Sequence, residues 1–224
     1  MAEEKHTVKV LALEWVTHDV RRVVVEKPKG YDFTPGQATE VSIKKEGWED
    51  EARPFTFTSQ QSDPCLEFTI KVYKDHDGVT EQIGKLELGD ELIIRDVWGA
   101  IEYKGPGYFI AGGAGVTPFI AIFRMLEKED KLDGNHLIFS NKTEKDIILE
   151  GEFRTMLGDR FINTLTDKPA KGYDNKKIDK NYLSEKISDF SKKFYVCGPE
   201  KMVEEISKQL DDLGADTEGI VFEK

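Results

Sequence analysis

Gly112-Gly113-Ala114-Gly115-Val116-Thr117-Pro118 is the stretch of sequence that decides the fold. It follows a short apolar run, 108–111, and leads into residues 118–128, whose apolar positions recur with helical spacing. Glycines let the backbone turn sharply and approach a ligand, and the free amides at a helix start favour a pyrophosphate. Thr117 can cap this helix, and Pro118 suits its first position. The stretch predicts a strand, a phosphate-binding turn and a helix, although a plain strand–helix junction also uses glycines.

Beyond this turn the pattern alternates between strands and helices. Strands are predicted at 137–139, 161–165, 194–197 and 219–222, and helices near 150–157, 182–187 and 199–213. Repeated strand–helix units imply a parallel sheet wrapped by helices.

The first half of the chain has the period of β-strands instead. Short alternating or β-branched runs are separated by clusters of Pro, Gly and Asp, and one helical stretch, about 79–86, interrupts them. The predicted strands are 8–13, 20–26, 37–43, 53–59, 66–73, 91–95 and 99–103. Six or seven short strands at this spacing indicate an antiparallel barrel or sandwich. Lys104-Gly105-Pro106-Gly107 marks the predicted boundary, which gives domains 1–104 and 105–224.

Composition excludes several classes of protein. The 224 residues carry a net charge of −11, split as −7 before and −4 after residue 106, so neither half is a basic nucleic-acid-binding domain. No apolar run approaches the ~20 residues of a membrane span, and the charged N-terminus does not resemble a secretion signal, so a cytoplasmic protein is expected. Two distant cysteines and four scattered histidines predict no disulfide framework and no metal site.

Three further motifs carry candidate chemistry. Arg53-Pro54-Phe55-Thr56-Phe57-Thr58-Ser59 offers a guanidinium for a phosphate, a ring for a flat ligand and a hydroxyl, but it is also ordinary strand composition. Gly78-Val79-Thr80 heads the helix of the first half and suits a phosphate, or serves as a plain cap. Val196-Cys197-Gly198-Pro199-Glu200-Lys201-Met202 places Cys197 at the carboxyl edge of the sheet, where open α/β sheets bind ligands; a buried structural cysteine is the alternative.

Taken in this order, the four motifs resemble those of the ferredoxin–NADP reductase superfamily, in particular its flavodoxin/ferredoxin reductase-like and cytochrome b5 reductase-like members. The resemblance covers nearly the whole chain. It implies an α+β protein of two domains: a six-stranded antiparallel Greek-key β-barrel that binds FAD, followed by an α/β parallel-sheet domain that binds NADPH or NADH.

The resemblance also implies roles for particular residues. Arg53 would hold the flavin pyrophosphate, Phe55 would pack on the flavin, and Thr56 would hydrogen-bond the flavin N5. Thr56, Cys197 and Glu223 would be the catalytic residues, with Cys197 near the nicotinamide and Glu223 beside the flavin. The remaining cofactor-binding residues implied for the barrel are Pro54, Lys71, Val72, Tyr73, Gly78, Val79 and Thr80. Those implied for the second domain and the C-terminus are Gly112, Gly113, Gly115, Thr117, Pro118, Lys142, Gly198, Pro199 and Phe222.

The implied activity is hydride transfer from NAD(P)H to FAD, with the electrons passed to a separate acceptor: ferredoxin, flavodoxin or a small molecule. A non-catalytic regulatory or electron-transfer subunit with the same fold is the alternative. Lys142 follows the second strand of the predicted sheet and can meet a 2′-phosphate, which favours NADPH, although it can equally be a solvated surface charge.

Overall fold

The computed structural model describes residues 4–99 and 101–216, and the backbone of 220–222. In the first half it forms a six-stranded sheet in the order β4-β3-β6-β1-β2-β5, with every neighbouring pair antiparallel. A bridge between Phe57 and Phe68 joins the two edges and closes the sheet into a barrel. The predicted antiparallel barrel is therefore confirmed. Its strands are β1 (His6–Trp15), β2 (Val20–Glu26), β3 (Gln37–Ile43), β4 (Arg53–Thr56), β5 (Cys65–Lys71) and β6 (Glu91–Gly99).

The barrel is filled by the inward-facing side chains of its strands, among them the fully buried rings of Phe57 and Phe68. The short helix α1 (Val79–Gly84) plugs one end. Arg21 donates hydrogen bonds to the carbonyl oxygens of Ile83 and Gly84, at 2.9 and 2.7 Å. A cation at the C-terminus of a helix satisfies carbonyls that would otherwise lack a partner, so Arg21 holds α1 in place.

The prediction of two strands at 91–95 and 99–103 is wrong: one continuous strand, β6, ends at Gly99. Residue 101 instead belongs to the connection between the domains, and the Ile101 side chain is buried in the core of the second domain. Gly36 packs directly against this connection, because a β-carbon there would lie 1.9 Å from the Ile101 carbonyl oxygen. The backbone of Gly36 also has a φ of +96°, so this close contact requires glycine.

The second half forms a parallel sheet, as predicted, and the structure shows its strands in the order β11-β10-β7-β8-β9. Helices α2 and α3 contribute to the core on one face, and α4 and α5 to the core on the other. The strands are β7 (Gly107–Gly112), β8 (His136–Asn141), β9 (Phe161–Leu165), β10 (Lys193–Cys197) and β11 (Ile220–Phe222). The helices are α2 (Thr117–Lys128), α3 (Glu150–Leu157), α4 (Lys180–Lys186) and α5 (Glu200–Asp212).

The junction at the start of α2 differs in one detail from the prediction. Residues 113–116 form a turn of 3-10 helix, and Thr117 already has helical backbone angles, φ −59° and ψ −42°. Thr117 is therefore the first residue of α2 and not its cap, and Pro118 follows it within the first turn. The tighter turn lets the chain pass from strand to helix without a capping side chain. No helix in the described part of the chain is long and apolar enough to cross a membrane.

Candidate functional site

A cleft of about 660 Å³ lies between the barrel and the second domain. Strands β4 and β5 and the residues around α1 form one wall. The other wall is formed by the carboxyl ends of the parallel strands β7, β8 and β10 and the turns that follow them. Its size is typical of a cofactor or substrate site, and open α/β sheets bind ligands at this edge.

Pairing of β4 with β3 determines which residues of the Arg53 motif reach the cleft. Thr56 pairs with Ala38, and Phe55 pairs with Thr39. Pro54, Phe55 and Thr56 all line the cleft, and Thr56 is only 7% exposed. A hydroxyl at this position can offer one directed hydrogen bond to a ligand in the cleft.

Two glycines allow the turn after β7 to touch the turn after β10. A β-carbon at Gly115 would lie 2.5 Å from the Cys197 carbonyl oxygen and from the Gly198 Cα. A β-carbon at Gly112 would lie 2.3 Å from the Met202 Sδ. A larger residue at Gly115 would require a backbone shift, and one at Gly112 would displace the end of the Met202 side chain, so the turn after β7 packs directly against the segment after β10.

The structure brings most of the predicted site residues to this one cleft, although their roles stay predictions. The predicted residues that line it are Pro54, Phe55, Thr56, Lys71, Tyr73, Thr80, Gly112, Gly113, Gly115, Thr117, Lys142, Cys197, Gly198 and Pro199. The strand β11 contains Phe222, whose side chain is not described, and Glu223 lies outside the described residues.

Five predicted residues do not line the cleft. Val72, Val79 and Pro118 are buried: Val79 belongs to the barrel core, and Val72 packs against Gly84. Gly78 is the N-cap residue of α1 and, as a glycine, has no side chain that could cap the helix. These positions can reach a ligand only through backbone atoms, because their side chains face the interior or are absent.

Arg53, the fifth residue, directly precedes the cleft-lining Pro54 on β4, and about half of its side chain is exposed. Its Nη1 donates to the carbonyl oxygen of Ala52 at 2.6 Å, and its Nη2 lies 3.8 Å from the Glu51 carboxylate. An exposed ion pair of this kind contributes little energy. The guanidinium can therefore exchange Glu51 for a phosphate at small cost.

Sequence reasoning missed Asn141, the last residue of β8. Asn141 is 4% exposed and lines the cleft, and neither its side-chain oxygen nor its nitrogen has a hydrogen-bond partner among the described residues. The amide of Asn163 is also buried without a partner there, but Asn163 does not line the cleft. A buried amide that faces a cleft calls for a ligand with both donor and acceptor groups. The signal in the sequence was a polar residue at the carboxyl end of a buried strand.

A charged cluster at the mouth of the cleft was also not predicted, because its members are far apart in sequence. The His18 Nε2 lies 3.7 Å from the Asp19 carboxylate and 3.8 Å from the Asp146 carboxylate of the other domain. The Lys71 ammonium lies 2.9 Å from Asp19. Burial alone would raise the pKa of the Asp19 carboxyl, but the hydrogen bond and charge of Lys71 outweigh it and lower the pKa. Lys71 thus balances the negative charge that Asp19 adds beside the cleft.

The residues of the cleft fit a flat, anionic dinucleotide. Phe55 and Tyr73 offer rings, Lys71 and Lys142 offer positive charge, and the glycine turn offers amides at the start of a helical segment. The unpartnered amide of Asn141 adds a polar group that a nucleotide can satisfy.

Comparison with known proteins agrees with this geometry. Residues 5–91 match a family model described as an FAD-binding domain, and residues 109–208 match one described as an oxidoreductase NAD-binding domain. NADH-cytochrome b5 reductase 2 of Mycosarcoma maydis is 30% identical over 224 aligned residues, which cover 90% of this chain and 63% of the relative. The chain spans about three fifths of the length of the curated relatives that it matches first.

Solved structures share the whole fold. The FAD/NAD-binding domain of a nitric oxide dioxygenase from Vibrio cholerae superimposes with a TM-score of 0.86 at 22% identity, covering 97% of each chain. A ferredoxin NADP⁺ reductase from Neisseria gonorrhoeae, solved with FAD and NADP, gives a TM-score of 0.84 at 19% identity and covers 98% of each chain.

A closed antiparallel barrel and a parallel-sheet domain that share one cleft define a flavoprotein of two dinucleotide-binding domains. The chain belongs to the ferredoxin–NADP reductase superfamily, a family of electron-transfer oxidoreductases, and its cofactors are FAD and a nicotinamide dinucleotide. The resemblance predicted from the four motifs is therefore confirmed.

Proposed function

We propose that this chain is an NAD(P)H-dependent flavoprotein reductase that transfers a hydride from the nicotinamide C4 to the flavin N5 and passes the electrons to a separate acceptor. The observation that carries the proposal is the single cleft, in which the Thr56 strand and the glycine turn face each other. Two cofactors bound on these walls would share one cleft. Holding two reactants in this way converts an encounter into a step within one complex. We also propose the domain boundary after residue 104, within the connection between β6 and β7.

FAD, when bound, supplies an acceptor for the hydride and can release electrons one at a time. The protein's own residues bind and orient it. Phe55 would offer a face to the ring, Thr56 would donate or accept one hydrogen bond at N5, and Arg53 and Lys71 would offer positive charge to the pyrophosphate. The hydride step does not require proton transfer by a dedicated acid–base pair. The role of the buried Thr56 would instead be to orient the flavin and to keep water away from the reacting atoms.

The nicotinamide nucleotide would be held by the other wall. Amides of the Gly112–Gly115 turn would meet its pyrophosphate, and Cys197, which lines the same cleft at the end of β10, would lie near its nicotinamide ring. Asn141 can satisfy its buried amide on a ribose or carboxamide group. Lys142 is exposed at the same wall and supports a preference for NADPH, whereas the nearby Asp146 carboxylate would oppose a 2′-phosphate. Comparison of the rates of flavin reduction by NADPH and by NADH measures which nucleotide the protein prefers.

The acceptor is proposed to be a one-electron carrier such as ferredoxin or flavodoxin. Release of single electrons from reduced flavin supports this class. The Mycosarcoma maydis relative is named for cytochrome b5, which is also a one-electron carrier. Cytochrome b5 is therefore a further candidate acceptor to test.

Anaerobic stopped-flow spectroscopy tests the proposal directly. Protein reconstituted with FAD is mixed with NADPH or NADH, and the flavin absorbance is followed. We expect it to bleach with at least one nucleotide, and the reduced protein to turn over ferricyanide. A flavin that stays oxidised with both nucleotides would contradict the catalytic proposal and favour a non-catalytic subunit with the same fold.

A further inference from the structure

Helix α2 connects the two walls of the cleft. Its N-terminus carries the glycine turn, and one flank of the helix is hydrogen-bonded to the barrel. Gln60 Nε2 donates to the Ala121 carbonyl oxygen at 2.8 Å, and Lys128 Nζ donates to Ser62 Oγ at 2.9 Å. Between these two contacts lies Arg124. Ala121, Arg124 and Lys128 are three and four residues apart, so they share one face of the helix.

Arg124 is bound from both domains at once. Its Nη1 donates to the Thr58 carbonyl oxygen and to Glu67 Oε1, each at 2.7 Å, and both acceptors belong to the barrel. Its Nε and Nη2 donate to the two carboxylate oxygens of Glu152 on α3, at 2.5 and 3.0 Å. A planar guanidinium can make this paired contact and still reach a third group, which a lysine ammonium cannot do with the same geometry.

The contacts of Arg124 continue to the flavin side of the cleft. Thr58 Oγ donates to Glu67 Oε1 at 2.9 Å and lies 3.2 Å from Thr69 Oγ. Thr69 lines the cleft, and Thr58 follows Thr56 by two residues on the same stretch of chain. A chain of hydrogen bonds therefore runs from the flank of α2 to the wall that contains Thr56.

Charge balance keeps this chain of contacts intact. Glu67 is 7% exposed, and its second oxygen accepts from Arg22 Nε at 2.6 Å. Burial would raise the pKa of the Glu67 carboxyl, but the charge and hydrogen bonds of Arg124, with those of Arg22 and Thr58, hold it below its ordinary value. Arg22, Glu67, Arg124 and Glu152 thus alternate in sign along one hydrogen-bonded network.

We infer that Arg124 is a positioning residue of the proposed reductase: it fixes the Thr56 wall against the helix that carries the glycine turn. The inference rests on the proposed function for its effect on rate. From Thr117 to Arg124 the helix is about 10 Å long, short enough to behave as a rigid rod. Hydride transfer depends steeply on the approach of the two rings, so a small loss of register between the walls slows the step without removing either binding site.

The test compares Arg124→Met and Arg124→Lys with the matched control Arg154→Met. Arg154 is also paired with a glutamate, Glu150, but the pair is exposed and lies within α3. Spin labels at Lys29→Cys in the barrel and Lys208→Cys on α5, in a Cys65→Ser background, report the distance between the domains. Stopped-flow reduction by NADPH or NADH separates the limiting rate constant from the Kd of the nucleotide.

We expect a narrow distance distribution in the wild type and in Arg154→Met, and a broader one in Arg124→Met. The limiting rate constant of Arg124→Met should fall about tenfold, while its Kd for the nicotinamide nucleotide changes less than about twofold. Arg124→Lys keeps the charge and should fold even if Arg124→Met does not. Its distance distribution and its limiting rate constant should lie between those of the wild type and Arg124→Met. An unchanged distance distribution or an unchanged limiting rate constant in both Arg124 variants would overturn the inference. If the wild-type flavin is not reduced by either nucleotide, the proposed function fails. The distance distributions then still test whether Arg124 holds the two domains together.

Discussion

At the scale of single residues, Thr56 has the most specific expected role. Thr56→Val keeps the shape of the side chain and removes its hydroxyl, so one hydrogen bond to the flavin is lost. A bond worth about 1–1.5 kcal/mol corresponds to a fall of about tenfold in the rate of flavin reduction. FAD affinity should change much less, because stacking and phosphate contacts remain. Stopped-flow rates and FAD titration measure the two effects, with Thr155→Val on α3 as the control. Equal losses in rate and affinity would show that Thr56 only packs.

Gly115 is a residue whose replacement would separate the two turns at the cleft. In Gly115→Ala the new β-carbon would meet the Cys197 carbonyl oxygen and Gly198 at 2.5 Å, so the turns after β7 and β10 must move apart. Overpacking of this kind costs about 1–3 kcal/mol in the free energy of unfolding, and nucleotide affinity should fall with it. Urea unfolding and nucleotide titration measure both.

Gly151→Ala is the matched control for this change. A β-carbon at Gly151, on α3, would have nothing within 4 Å, so that variant should be as stable as the wild type or more so. A stable Gly115→Ala variant with normal nucleotide affinity would contradict the close contact of the two turns.

At the scale of elements, strand β4 shows how a four-residue segment places a binding group. Arg53 pairs with Val41 at the first position of β4, directly before the residues of that strand that line the cleft. We expect Arg53→Ala to weaken FAD binding by about 10- to 100-fold, because a charge-assisted phosphate contact contributes about 1.5–3 kcal/mol. Equilibrium dialysis of FAD measures the change. Lys45→Ala, which removes an exposed cation paired with Asp90 elsewhere on the barrel, should leave FAD binding unaltered, and equal retention in both variants would count against Arg53.

Elements with a strong local pattern could be predicted from the sequence. The parallel strands and the helix at 150–157 have apolar runs or periodic apolar faces with clear boundaries, and they were found within a few residues. The end of β6 was missed, because residues 101–103 have strand-like composition but are held by the second domain, and only tertiary packing decides that. The Gly112–Pro118 segment likewise predicted the nucleotide side of the cleft. The position of Asn141 in the cleft depends on the order of the strands, and the His18–Asp146 contact joins residues far apart in sequence, so neither could be predicted.

At the scale of the whole molecule, the ion pairs between the domains give stability a pH dependence. The pKa of Glu67 is lower in the folded protein than in the unfolded chain. As the pH falls below the ordinary value of 4.5, the unfolded state takes up the proton first, so the stabilisation by Glu67 is full above that value and is lost as the pH drops through the folded pKa.

Glu67→Gln should therefore be less stable than the wild type by about 3 kcal/mol near neutral pH, since two arginines lose a buried partner. The difference should shrink as the pH is lowered through the folded pKa of Glu67, because the wild-type carboxyl then takes up a proton too. Urea unfolding at several pH values checks this. Glu150→Gln, at the exposed pair with Arg154, should cost less than about 1 kcal/mol, and a difference for Glu67→Gln that does not vary with pH would exclude the ion pairs as its cause.

The double attachment of α2 has a consequence for recombination between members of this family. Joining the second domain alone to the barrel of another family member would transfer the glycine turn. It would also remove the hydrogen bonds that α2 makes with Gln60, Thr58 and Glu67 of its own barrel. A working chimera would have to exchange Arg124 together with the acceptors on the recipient barrel. Compatibility between the two halves therefore depends on the residues along one side of α2.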